Sequence, residues 1–185
     1  MHTNISVKII NEHRLKVIAP YNEEFVVEAR LLHGTWRRNA WWFDDSAMDR
    51  LRELLLRQWN TTGEAPYDSC SLLIRNLNKS ARRGTVFLFN RMIAKAFGRM
   101  SKIKMGDDIY FISGTIKPGG DLYYWETQCV DATFVIGNFP LPATELPEVQ
   151  KAISEGWCEI KTGEVESWKD ELKLVSSNEE VYKFV

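Results

Sequence analysis

The stretch Thr35-Trp36-Arg37-Arg38-Asn39-Ala40-Trp41-Trp42-Phe43 decides how the N-terminal part of the chain is read. Two short β-prone runs flank the polar pair Arg38-Asn39, which is the pattern of a hairpin with a tight turn. Neighbouring residues on a strand point to opposite faces, so Trp41 and Trp42 cannot share one core. Trp41 and Phe43 are expected to bury, leaving Trp42 on the other side. There it is either covered by a further layer of protein or offered as a stacking surface. Arg37 and Arg38, in the adjoining turn, would reach phosphate.

Upstream, residues 5–10 and 14–19 form two β-rich runs around Asn11-Glu12-His13 and read as a first hairpin, closed by Pro20. Asn22 is placed to cap a helix with Glu23 and Glu24 in its first turn and Phe25, Ala29 and Leu32 at helical spacing. Gly34 stands where a left-handed terminating residue is expected. Downstream, Ser46 with Asp49 resembles a capping box ahead of Met48, Leu51, Leu55 and Trp59, which line one helix face. The predicted unit is ββαββα over residues 1–63, with residues 60–66 as a linker. Residues 66–142 read as a β-rich domain of short strands at 71–75, 85–89, 92–97, 108–113, 122–129 and 133–136, forming a small barrel or curled antiparallel sheet. The fold class is therefore α+β. Prolines 140, 142 and 147 precede a short helix over 147–155, at the start of an acidic extension spanning 143–185.

Charge is polarised along the chain, although the net formal charge is only -1. Between residues 69 and 106 there are nine basic side chains and no acidic one: Arg75, Lys79, Arg82, Arg83, Arg91, Lys95, Arg99, Lys102 and Lys104. Such a block suits phosphate or an acidic protein surface. Residues 107–185 carry six basic and fifteen acidic side chains, so an alternative is that this third folds back and neutralises the block. Arg91, Lys95 and Arg99 recur at intervals of four, which leaves a helix over 91–100 open beside the strand. The segment Arg82-Arg83-Gly84-Thr85-Val86-Phe87-Leu88-Phe89 resembles the aromatic octapeptide of RNA-recognition motifs, but its second aromatic falls one position early and core packing accounts for it better.

Catalytic chemistry finds little support. No two of the three cysteines and three histidines lie within four residues of each other, against the paired spacing of structural zinc. The stretch 114–120 has the wrong spacing for a phosphate loop and contains a proline. Asp44, Asp45 and Asp49 form the densest carboxylate group and read as helix-start residues rather than a metal site. No catalytic residue, metal or cofactor is expected. Three widely separated cysteines and an N-terminus without a basic start and apolar run point to a reducing, cytoplasmic setting. The apolar runs are too short to span a bilayer.

Residues 25–43, with a Gly-x-Trp, a short polar turn and a Trp-x-Phe followed by a helix, resemble the small HARP-type module of annealing helicases. They are also similar to the N-terminal part of uncharacterised accessory proteins of plasmids and integrating elements. The latter similarity extends to Arg91-Met92-Ile93-Ala94-Lys95 and Lys104-Met105-Gly106-Asp107-Asp108-Ile109. The HARP resemblance implies DNA engagement by Trp36, Arg37, Arg38 and Trp41, with Phe25 and Phe43 as core. No helicase motor accompanies it, so neither annealing nor ATPase activity is implied.

The expectation is a non-enzymatic, nucleic-acid-binding accessory protein of a plasmid, phage or integrating element. Its partner would be single-stranded or duplex DNA, or RNA, held by Trp36, Arg37, Arg38, Trp41, Trp42, Arg75, Lys79, Arg82, Arg83, Arg91, Lys95 and Arg99. The alternative is a protein-binding inhibitor of a host defence complex or nuclease, of the anti-CRISPR or anti-restriction type, whose acidic third mimics nucleic acid. A metal-dependent enzyme using Asp44, Asp45 and Asp49 is a third class.

Overall fold

The computed structural model describes residues 4–11 and 13–162. Residues 163–185, which hold much of the acidic extension, lie outside the described residues. The fold is α+β, with three α-helices and eleven strands in three sheets among the described residues.

The first sheet is built from β1 (Ser6–Asn11), β2 (Arg14–Ile18), β3 (Thr35–Arg37) and β4 (Ala40–Phe43), in the order β1-β2-β4-β3 with every pair antiparallel. Helix α1 (Glu23–Leu31) begins at Asn22, whose side-chain oxygen accepts the Phe25 N–H at 2.8 Å. Its end differs from expectation. The left-handed residue is His33, with φ 59°, and Gly34 is required for space: a Cβ there would fall 2.4 Å from the Phe43 ring. Helix α2 (Met48–Trp59) is entered through a 3-10 turn at Asp45–Ala47, and no capping box forms. Ser46 lies inside that turn, where its N–H donates to the Asp45 carboxylate. Both helices cover one side of the sheet. Phe25 meets Trp41 edge-on at 6.2 Å and Trp59 at 5.3 Å, with Leu15, Val17, Phe43 and Leu51 buried beside them.

The second sheet has the order β11-β5-β10-β9, from β5 (Ser69–Arg82), β9 (Ile109–Gly120), β10 (Trp125–Pro140) and β11 (Cys158–Lys161). The third is β6 (Thr85–Leu88), β7 (Arg91–Lys95) and β8 (Lys104–Met105), in that order. Among the described residues no closed barrel forms. Several short strands expected from the sequence are parts of longer ones, because left-handed residues at Asn76, Asp131 and Asn138 interrupt the side-chain alternation without ending the strand. Residues 122–124 are turn rather than strand, and 91–95 is strand rather than helix. Phe89 falls outside β6 with φ 48°, so strand periodicity does not relate it to Phe87. Helix α3 (Pro147–Ser154) packs Val149 and Ala152 into the core.

One apolar cluster takes in buried side chains from both parts of the chain, Ile5 to Trp59 and Cys70 to Cys158, while Leu73, Ile112 and Val135 form a second, smaller one. Residues 60–66 are tied down: the Val7 N–H donates to the Gly63 carbonyl at 2.8 Å, Glu64 accepts two hydrogen bonds from Arg52, and the Asn60 amide reaches the Pro142 carbonyl. Asn22 also donates to the Asn90 carbonyl, and the Asn90 amide donates to Gln58.

Candidate nucleic-acid interface

The side of the first sheet away from the helices carries a row fixed by strand register. Lys8 stands opposite Lys16, Lys16 opposite Trp42, and Trp42 opposite Thr35. Residues paired in this way share a face, and so do residues two apart on one strand, which adds Arg14 beside Lys16 and Arg37 beside Thr35. Lys8, Arg14, Thr35 and Arg37 are exposed, while Lys16 and Trp42 are half-buried as the centre of an open sheet requires. The four strands contain no Asp or Glu. Four cations therefore surround one indole, and none of them has a carboxylate partner among the described residues.

The indole is held in place. Trp42 Nε1 donates to the Arg37 carbonyl at 3.2 Å, and the Arg37 guanidinium lies 4.7 Å from the ring centroid. The Arg38-Asn39 turn has both residues left-handed, with φ 51° and 57°, as in the tight turns that match strand twist. Arg38 is exposed at its tip.

Other residues singled out from the sequence lie elsewhere. Trp36 is opposite Trp41, hence on the helix side, and is 55% exposed at the β3 edge with its ring 5.6 Å from that of Trp41. Trp41 is 6% exposed and anchors the core, so it presents no ring to a ligand. Arg91 is 2% exposed and also leaves the candidate surface. It donates to the Asn138 and Asp107 carbonyls at 3.2 and 3.1 Å and lies 3.7 Å from the Asp108 carboxylate. Burial pulls its pKa below the ordinary value, and Asp108 opposes that fall.

The rest of the basic block is dispersed rather than gathered into one row. Arg75 pairs with Glu159 at 2.6 Å, and Lys95 lies 3.8 Å from Glu23. Lys79 donates to the Phe87 carbonyl, and Arg99 reaches toward the Pro118 carbonyl at 3.5 Å. Arg82 and Arg83 stack on the Tyr124 ring at 4.3 and 5.0 Å, and Arg83 also donates to the Tyr123 carbonyl. A cavity of about 310 Å³ is lined by Tyr21, Phe97, Lys95, Lys104 and Arg91, of which Lys95 faces Glu23 and Arg91 faces Asp108.

Among the described residues no group of three or more His, Cys, Asp or Glu is arranged to hold a metal ion. Asp45 faces His13 at 3.8 Å and Asp49 pairs with Arg52 at 3.0 Å. Cys70, Cys129 and Cys158 are buried thiols, and burial pushes the first two up to about 11 and the third to about 12. They are poor nucleophiles near neutral pH. No helix among the described residues is long and apolar enough to cross a membrane.

Sequence reasoning missed Lys8, Arg14 and Lys16. They sit in a part of the chain with balanced charge, and only the pairing of β1, β2 and β4 brings them to Trp42. The available signal was alternation within 14–18, which sets Arg14 and Lys16 against Leu15 and Val17.

Comparisons with family models, with curated proteins and with solved structures returned no match to this chain.

Proposed function

We propose that this chain is a non-enzymatic, cytoplasmic nucleic-acid-binding accessory protein of a mobile genetic element, engaging its ligand through the open face of the first sheet. The observation that carries this reading is the in-register row Lys8, Lys16, Trp42, flanked by Arg14 and Arg37 and free of carboxylates along its strands. Cations held at fixed spacing attract phosphates, and an aromatic among them gives a base somewhere to stack. Of the residues that the resemblance of 25–43 to HARP-type modules implies, Arg37 lies on this face and Arg38 in the turn beside it, whereas Trp36 and Trp41 lie on the helix side; the similarity to plasmid and integrating-element proteins supplies the setting. Arg82, Arg83 and Lys79 are exposed and would add phosphate contacts outside that face. Phosphate contacts carry no sequence information, so the expected binding is weakly selective for sequence.

The test is fluorescence anisotropy of labelled oligonucleotides with the full chain, at about 50 and about 200 mM salt. An electrostatic binder with several phosphate contacts loses orders of magnitude in affinity across that range. Salt-sensitive binding supports the reading; absence of binding at the lower salt rejects it and favours the protein-binding inhibitor.

A further inference from the structure

We infer that the open face of the first sheet selects single-stranded nucleic acid over duplex, an inference that rests on the nucleic-acid reading above. Trp42 closes the in-register row that begins at Lys8, with Lys16 opposite it on one neighbouring strand and Thr35, two residues from Arg37, opposite it on the other. An aromatic side chain can stack only on a base whose face is free. In a duplex the base faces are taken by their neighbours, leaving groove edges and phosphates as the accessible groups.

The shape of the site agrees. Three interstrand spacings of about 4.8 Å make a surface about 14 Å across. Helices α1 and α2 lie on the other side of this sheet, where Phe25 and Trp59 pack with Trp41, so neither is available on this face to enter a major groove. Double-stranded DNA is read by elements inserted into its grooves, whereas exposed sheet faces with aromatics bind splayed single strands.

Arg37 fits the same ligand. Its planar guanidinium already lies over Trp42, and guanidinium planes are themselves stacking partners for bases. The strand runs across the sheet, with one base on the Arg37–Trp42 pair and the neighbouring phosphates at Lys16 and Lys8. Arg14, exposed on the same strand as Lys16, borders that path. The Trp42 ring is oriented before binding by its bond to the Arg37 carbonyl, which lowers the ordering cost of stacking.

The deciding experiment compares oligothymidine, oligouridine and a blunt DNA duplex, each about a dozen nucleotides or base pairs long to match single-strand site sizes, at one low salt concentration. Single strands are expected to bind at least about tenfold more tightly than duplex. Trp42→Ala is expected to weaken single-strand binding about 5- to 150-fold, the fold-change equivalent of one stacked base, and to alter duplex binding less than about twofold. Trp42→Phe keeps an aromatic face and restores most of the affinity, while matched thermal melting of both variants excludes misfolding as the cause. Duplex binding as tight as single-strand binding, or an unchanged Trp42→Ala, overturns this inference and leaves the nucleic-acid reading intact. Binding to none of the three overturns both.

Discussion

Lys8 and Lys16 are direct cross-strand partners on the open face of the first sheet, two like charges in one register position. Such a pair destabilises a sheet by about 0.2–1 kcal/mol relative to a neutral one. Lys8→Gln is therefore expected to raise the melting temperature slightly while weakening nucleic-acid binding. The slope of log affinity against log salt should become shallower by about one unit, the signature of one lost phosphate contact. Thermal unfolding and a salt titration of the same preparation check both halves.

Arg38 occupies the first position of the β3–β4 turn with φ 51°. A left-handed backbone costs an ordinary L-residue about 1–2 kcal/mol, and Asn tolerates it better. Arg38→Asn is expected to stabilise the protein by up to about 1 kcal/mol and to reduce affinity for oligonucleotides. Urea unfolding and anisotropy should thus move in opposite directions. If both fall, the turn depends on an Arg38 contact that the proposed role does not include.

Arg91 is the cation that a surface reading places wrongly. It lies in the interior, held by two carbonyls and facing Asp108. Removing one member of a buried ion pair costs about 3–5 kcal/mol, because the interaction is lost in a poorly solvated site. Arg91→Ala is expected to lower the urea midpoint strongly, whereas Arg75→Ala, which breaks an exposed pair with Glu159, should cost less than about 1 kcal/mol.

The three buried thiols give stability a defined alkaline limit. Their folded pKa values of about 11 and about 12 exceed the ordinary 9.0, so the folded chain holds protons that the unfolded chain releases. The stabilisation is complete below pH 9 and is lost as the pH rises through about 11 to 12. The urea midpoint should fall over that range, and Cys129→Ala should reduce the fall. At about pH 8 a thiol reagent should modify the unfolded chain and leave the native one largely untouched.

The legible parts of the fold were those written in local spacing. Asn22 and the Glu pair behind it marked the start of α1, and the doubled tryptophan at 41–42 announced a sheet with two different faces. Closure into a barrel was a poorer inference, because Asn76, Asp131 and Asn138 in left-handed conformations make continuous strands look like several short ones. The site was only half legible. Arg37 and Trp42 lie five residues apart, but Lys8 and Lys16 join them through register, which local patterns do not specify. Arg91 misled for the complementary reason: its partners at Asp107, Asp108 and Asn138 lie well downstream, while its neighbours in sequence form a run of surface cations.

Binding by the open face is tested by placing equal charge changes on the two sides of the first sheet. Lys8→Glu with Lys16→Glu alters the open face, and Arg30→Glu with Arg50→Glu alters exposed positions on α1 and α2. Oligonucleotide dissociation constants would be measured for both double variants at about 50 mM salt, where phosphate contacts contribute strongly. A loss of at least about tenfold is expected for the open-face variant and a much smaller change for the helix-side variant. Equal losses in the two, or an unchanged constant for the open-face variant, would contradict binding by that face.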